Sequence, residues 1–168
     1  MQSTELRDFL VAFAAERLAL IERHEAGARV VSHYDFNNTY QYVIAREDTH
    51  LSWVGQALAE METPLPKASS SLTVPGLAKV GKKDQVGAFQ PVLADDAKLL
   101  GAFVDKWRAG VEALTHARHK TMLNVVLGET KEHQRLFEQA AGGNQDVLGR
   151  RTGGAAREGV VLPARWQE

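Results

Sequence analysis

The 168-residue chain contains no cysteine, which excludes disulfides, thiolate metal sites, iron–sulfur clusters and cysteine nucleophiles. It also lacks an excess of either charge. Twenty basic residues against 21 acidic ones leave a formal net charge of −1, which argues against a general nucleic-acid coat. Long apolar runs are absent as well. The N-terminal stretch MQSTELRDFLVAFAAERLALIERHE carries acidic residues early and reads as an amphipathic helix, not as a signal peptide or a membrane span. A cytoplasmic location is therefore expected, with no membrane and no nucleic acid as partners. No phosphate loop is present, because RRTGGAAREG lacks a strand–loop–helix setting, and no nucleophile elbow or internal repeat occurs.

What the chain does have is helical period. Its length suits one domain. Four stretches carry few breakers: Thr4 to Glu25, Asp35 to Met61, Asp95 to Leu114 and His119 to Ala141. In the first, Phe9, Phe13, Glu16 and Leu20 share one face, with arginines on the other. Gly27, Val30 and Val31 suggest a turn, and Asp35 suits an N-cap. Pro64 and Pro66 end the second helix. The segment from Thr63 to Ala94 is rich in proline, glycine and serine and reads as a long connection with room for a short helical turn. Gly142 and Gly143 stop the fourth helix, and a glycine- and arginine-rich extension follows over 142–168. Two helical hairpins joined by a crossover predict an all-α four-helix bundle with an irregular C-terminal tail.

Polar residues interrupt the apolar stripes at one level. The second helix reads Phe36, Tyr40, Val43, Glu47, His50, Val54, Ala57, Met61, stepping by four and three, so Glu47 and His50 face the same way as their apolar neighbours. The fourth reads Met122, Val126, Glu129, His133, Leu136, Ala140. Glu16 lies near the middle of the first. A buried carboxylate finds a partner, changes protonation or binds a metal. Residues three or four apart share a helix face, so each Glu/His pair could grip one ion. Glu16, Glu47, His50, Glu129 and His133 are thus predicted ligands, and a set of oxygen and imidazole donors suits Fe, Mn, Zn or Ni. Salt bridges are the competing explanation, with Arg17, Arg46 and Arg118 at hand.

Other polar residues point to simpler roles. His116 and His119, three apart near a helix end, could bind metal at the surface, but solvated capping fits them better. His24 extends the first stripe at the bundle end, as a packed or partly exposed residue. Lys79, Lys82 and Lys83, with Arg150, Arg151, Arg157 and Arg165, read as solvated basic elements. Trp53, Trp107 and Trp166 read as core or interface anchors.

Two family resemblances follow from these motifs. AREDTHLSWVGQAL, with Glu47-x-x-His50 on a second long helix, resembles the ferritin-like diiron bundles. ETKEHQRLFEQAAG resembles the last-helix motif of DinB/YfiT-like proteins, where two histidines four apart bind a metal with a third histidine from helix two; here those two positions hold Glu129 and His133. The resemblance spans about residues 5–141 and implies a metal-binding bundle. A ferritin-like centre also requires a glutamate from the third helix, which offers only Glu112, off the inward face. A mononuclear or lopsided dinuclear site is therefore expected. The function expected is divalent-metal binding, extending to a metal-dependent enzyme acting on a small molecule of undefined identity, in a homodimer. The alternative is a non-enzymatic bundle acting in dimerisation or partner binding, its inward charges being internal ion pairs.

Overall fold

Each of the four periodic stretches folds as a helix in the computed structural model, which describes residues 3–151: α1 (Ser3–Val30), α2 (Tyr34–Ala59), α3 (Gln90–Glu112) and α4 (Ala117–Ala141). The described residues form an all-α four-helix bundle. None of its described helices is long and apolar enough to cross a membrane.

The helices start and stop where local chemistry lets them, and this moves several expected boundaries. α1 does not turn at Gly27 but continues to Val30. Gly27 serves a close approach instead, since a Cβ there would lie 2.9 Å from the Tyr40 ring and 3.0 Å from an Arg23 guanidinium nitrogen. α2 begins at Tyr34 with His33 in the cap position, so Asp35 falls in the first turn. A carboxylate there still complements the helix dipole. α3 begins five residues before the expected Asp95, because Pro91 sits in its first turn, where a missing N–H costs nothing. A 3₁₀ turn, Val86–Phe89, leads into it.

α2 and α4 end in the same hydrogen-bond pattern. After α4, Gly143 N–H bonds to the Ala140 carbonyl and Asn144 N–H to that of Gln139, with Gly143 at φ 97°. After α2, Glu62 N–H bonds to Ala59 and Thr63 N–H to Leu58, and the left-handed position is held by Glu62 at φ 52°. Both are Schellman ends, but only the second places a side chain where glycine is favoured.

Cross-helix contacts define the topology. α1 pairs with α2 and α3 with α4 as hairpins, and α2–α4 and α1–α3 form the other two seams. α1 meets α3 antiparallel, with Arg23 at Asp95 and Phe9 at Trp107. α2 meets α4 antiparallel, with Glu60 at Arg118 and Arg46 at Glu129. It follows that α2 and α3 run parallel, and the crossover must return along the whole bundle. It is pinned on the way by Ser69 N–H to the Ala15 carbonyl and by Ala78 N–H to that of Ala88.

The core is continuous, with Leu10, Phe13, Phe36, Val43, Leu58, Leu93, Leu100, Phe103, Val126 and Phe137 almost fully buried. Each such side chain contributes roughly 1.5–3 kcal/mol by leaving water. Phe13 packs edge-on to both Phe103 and Trp107. Of the C-terminal extension, Val147 joins the core, and Arg151 reaches the Asp35 carboxylate at 2.8 Å. The expectations placed on Arg157, Arg165 and Trp166 lie outside the described residues.

Candidate functional site

The mid-bundle level is polar, and its centre is Glu47. This carboxylate has no exposed surface and both its oxygens are taken. Arg17 donates to Oε1 at 2.9 Å from α1, and His24 Nδ1, two turns further along the same face of that helix, lies 2.7 Å from Oε2. The second Arg17 amino group donates to Thr130 Oγ1 at 2.6 Å, which donates in turn to the Val126 carbonyl at 2.7 Å. The Arg17 guanidinium also lies 4.3 Å over the Phe103 ring. One arginine thus ties α1 to α2, α3 and α4.

The network continues past His24 toward α3. His24 Nε2 lies 3.6 Å from Asp96 Oδ1, and Arg23 Nη1 lies 3.2 Å from the same oxygen. Tyr40 donates its hydroxyl to the other Asp96 oxygen. Arg23 reaches Asp95 as well, at 3.1 Å. The His24 ring stacks on Phe137 at 5.4 Å between centroids, which fixes its orientation.

Burial and partners act against each other in these groups. Burial pushes the Glu47 carboxyl up, but His24 and Arg17 overcome that and hold it at about 2. Burial pushes His24 down, and Glu47 more than reverses it, so the imidazole gains a proton more readily than usual. At Asp96 burial prevails over His24, Arg23 and Tyr40, and the carboxyl is raised. Two arginines and one histidine stand against the carboxylates of Glu47, Asp96 and, at the edge, Asp95, so the set can neutralise itself internally, as buried charges must.

A second group lies at the α2–α4 seam. His50 Nε2 is 2.8 Å from Glu129 Oε2, and Arg46 forks onto both Glu129 oxygens at 2.8 Å. His133, one turn beyond Glu129, stacks on the His50 ring with centroids 6.1 Å apart and planes at 20°. Tyr42 closes over His133 edge-on at 5.9 Å. His50 and His133 are buried, while the Glu129 and Arg46 side chains are each one-third exposed. Burial holds the His133 imidazole down to about 4, and burial with Arg17 lowers His50 too, so both rings are neutral near pH 7. The Nδ1 atoms of both rings are buried without a hydrogen-bond partner.

The five predicted ligands therefore divide. Glu47, His50, Glu129 and His133 occupy one level, but Glu47 belongs to the Arg17–His24 network. Glu16 is on a different seam. It faces α3, where Lys106 lies at 2.5 Å and the Trp107 indole N–H at 3.1 Å, beside a cleft of about 530 Å³ walled by Phe103, Leu99 and Leu72. The inward position at that level is Arg17, so arginine does not keep to the outer face of α1 as expected. The periodicity was one residue ambiguous there, and a salt bridge lets the cation turn inward. Among the described residues, no three His, Asp or Glu side chains gather, as they stand, into a group that could hold a metal ion.

Two further expectations are corrected. α3 does contribute an inward carboxylate, Asp96, which has no exposed surface. Reading Asp95 as a helix start hid it, since α3 was then given no turn before that residue. His24 is not a bundle-end residue but a fully buried link between Glu47 and Asp96. The signal that could have found both was the arginine pair Arg17 and Arg23, six apart on α1 and matched by two acidic residues on other helices. Compared with family models and with curated proteins, the chain gives no match.

Proposed function

We propose that this bundle binds one divalent cation at the α2–α4 seam, through His50, Glu129 and His133. The observation that carries the reading is the pairing of His50 Nε2 with Glu129 Oε2 at 2.8 Å beneath a second neutral imidazole, His133, stacked on the first. Two imidazoles and a carboxylate form a donor set suited to Fe, Mn, Zn or Ni. The reading is of one ion rather than two, because Glu47 is already saturated by Arg17 and His24. The partnerless Nδ1 atoms of His50 and His133 are consistent with rings that have unused donor capacity. Loading requires Glu129 to exchange Arg46 for the cation, and the one-third exposure of both side chains gives that exchange a path from solvent. A cation held there supplies Lewis acidity to a bound small molecule. Tyr42 and Trp53, packed against the two imidazoles, keep the rings in place.

The test is metal content. Full-length protein saturated with Zn²⁺ and desalted is expected to keep about one ion per chain, and the His50→Ala/His133→Ala double variant close to none. Equal retention by both proteins would remove the assignment. A second reading draws on Glu47, whose two ion pairs are those of a non-enzymatic bundle with interior charges serving architecture. Under that reading neither protein retains Zn²⁺.

A further inference from the structure

The turn from α3 to α4 carries a histidine pair that neither buried network uses. His116 is the residue preceding α4, in extended conformation at φ −78° and ψ 103°, and its side chain makes no capping bond. His119 lies one turn into the helix and is almost fully buried, whereas His116 is exposed. Their Nδ1 atoms stand 2.9 Å apart. The ring centroids are 4.3 Å apart, with planes at 47°.

We propose that His116 and His119 form a two-imidazole site for a divalent cation of the Cu(II) or Ni(II) class, independent of the α2–α4 seam. The distances carry it. With metal–nitrogen bonds of about 2.0–2.1 Å, two donors at 90° stand about 2.9 Å apart, and two tetrahedral donors about 3.3 Å. The observed separation is that of neighbouring positions in a square-planar or octahedral shell, which favours Cu(II) or Ni(II) over Zn(II). Ring placement agrees. A right-angled pair puts the centroids about 4.5 Å apart, whereas a head-on N–H···N bond of this length puts them about 5.2 Å apart. The observed 4.3 Å lies much nearer the first value than the second.

The surroundings suit a cation. Arg118 is forked onto Glu60 at 2.8 and 3.0 Å, and Lys120 is drawn to the Glu112 carbonyl at 2.6 Å and to its carboxylate at 3.3 Å. The positive groups beside the pair are thus engaged. Burial, with His116 and Arg118 nearby, keeps the His119 imidazole more readily deprotonated than usual, the form a ligand needs. Exposure of His116 leaves the remaining coordination positions to water.

Calorimetric titration of the full-length protein with CuCl₂ and NiCl₂ tests the site, alongside H116A and the double variant H50Q/H133Q. His116 is exposed, so its removal leaves the fold intact, which thermal melting verifies. The expected result is one Cu²⁺ site that survives in H50Q/H133Q and weakens at least about tenfold in H116A, with Zn²⁺ binding more weakly than Cu²⁺. Electron paramagnetic resonance of the Cu²⁺ form of H50Q/H133Q is expected to show coupling to two imidazole nitrogens. An unchanged titration in H116A would identify the pair as a hydrogen bond and nothing more. Loss of binding in H50Q/H133Q with H116A unaffected would assign the ion to the other seam and overturn the proposal.

Discussion

Arg17 and Glu47 face each other between α1 and α2 at 2.9 Å, both fully withdrawn from water. Two buried ions in contact stabilise little relative to apolar residues of the same volume, but each is costly without the other. Arg17→Met is therefore expected to lower stability by about 3–5 kcal/mol in urea denaturation. Arg17→Met combined with Glu47→Leu is expected to be more stable than the single variant, since no uncompensated carboxylate remains. A double variant as unstable as the sum of its singles would show that the two residues act separately.

The histidines of the α2–α4 seam set an acid limit. His133 is held at about 4 against an ordinary value of 6.5, so between these values the unfolded chain binds the proton that the folded chain refuses. Stability from this residue is present above about pH 6.5 and is lost as the pH falls toward 4. His50 is lowered too and acts in the same direction. His24 and Asp96 are raised, and their contribution is lost instead as the pH rises through their folded values. Thermal melts of wild type and His133→Gln from pH 7 to 4 separate these effects. The wild-type midpoint is expected to fall more steeply than that of the variant, and parallel curves would contradict the assignment.

Glu62 holds a left-handed conformation at φ 52° at the end of α2, where the corresponding position after α4 is Gly143. A non-glycine residue there carries a cost of about 1 kcal/mol. Glu62→Gly relieves it while keeping the Thr63 N–H to Leu58 bond, and is expected to stabilise the protein by about 0.5–1 kcal/mol despite the greater freedom of glycine in the unfolded chain. Chemical denaturation measures this directly. A destabilised variant would mean that the Glu62 side chain makes a favourable contribution larger than the strain.

The helices were legible because apolar period and breakers are local properties. Phe36, Tyr40, Val43 and Val54 announce the buried face of α2, and all four are buried. The proline- and serine-rich crossover was equally plain. The site was harder to read. Glu47, His50 and His133 stood out as polar residues on apolar stripes, and each is buried. Glu16 stood on a stripe as well, yet the next residue, Arg17, turned inward in its place. Nothing local separates the two, because adjacent helical positions lie only 100° apart and either can border the core.

The order and polarity of residues along the chain set four amphipathic helices, two hairpins joined by a long crossover, and a polar level halfway along the bundle. Partner choice within that level came from packing. Arg17 reaches Thr130 across 113 positions of sequence, and Tyr40 reaches Asp96 across 56. A buried charge is stable only beside its counter-charge, and which counter-charge is near depends on helix rotation and crossing, fixed by the whole core at once. For that reason the same five polar residues that looked like one cluster are divided in the folded protein. Glu47 is satisfied by Arg17 and His24, Glu16 by Lys106 and Trp107, and Glu129 by Arg46 and His50 at the seam, with the His133 ring beside His50.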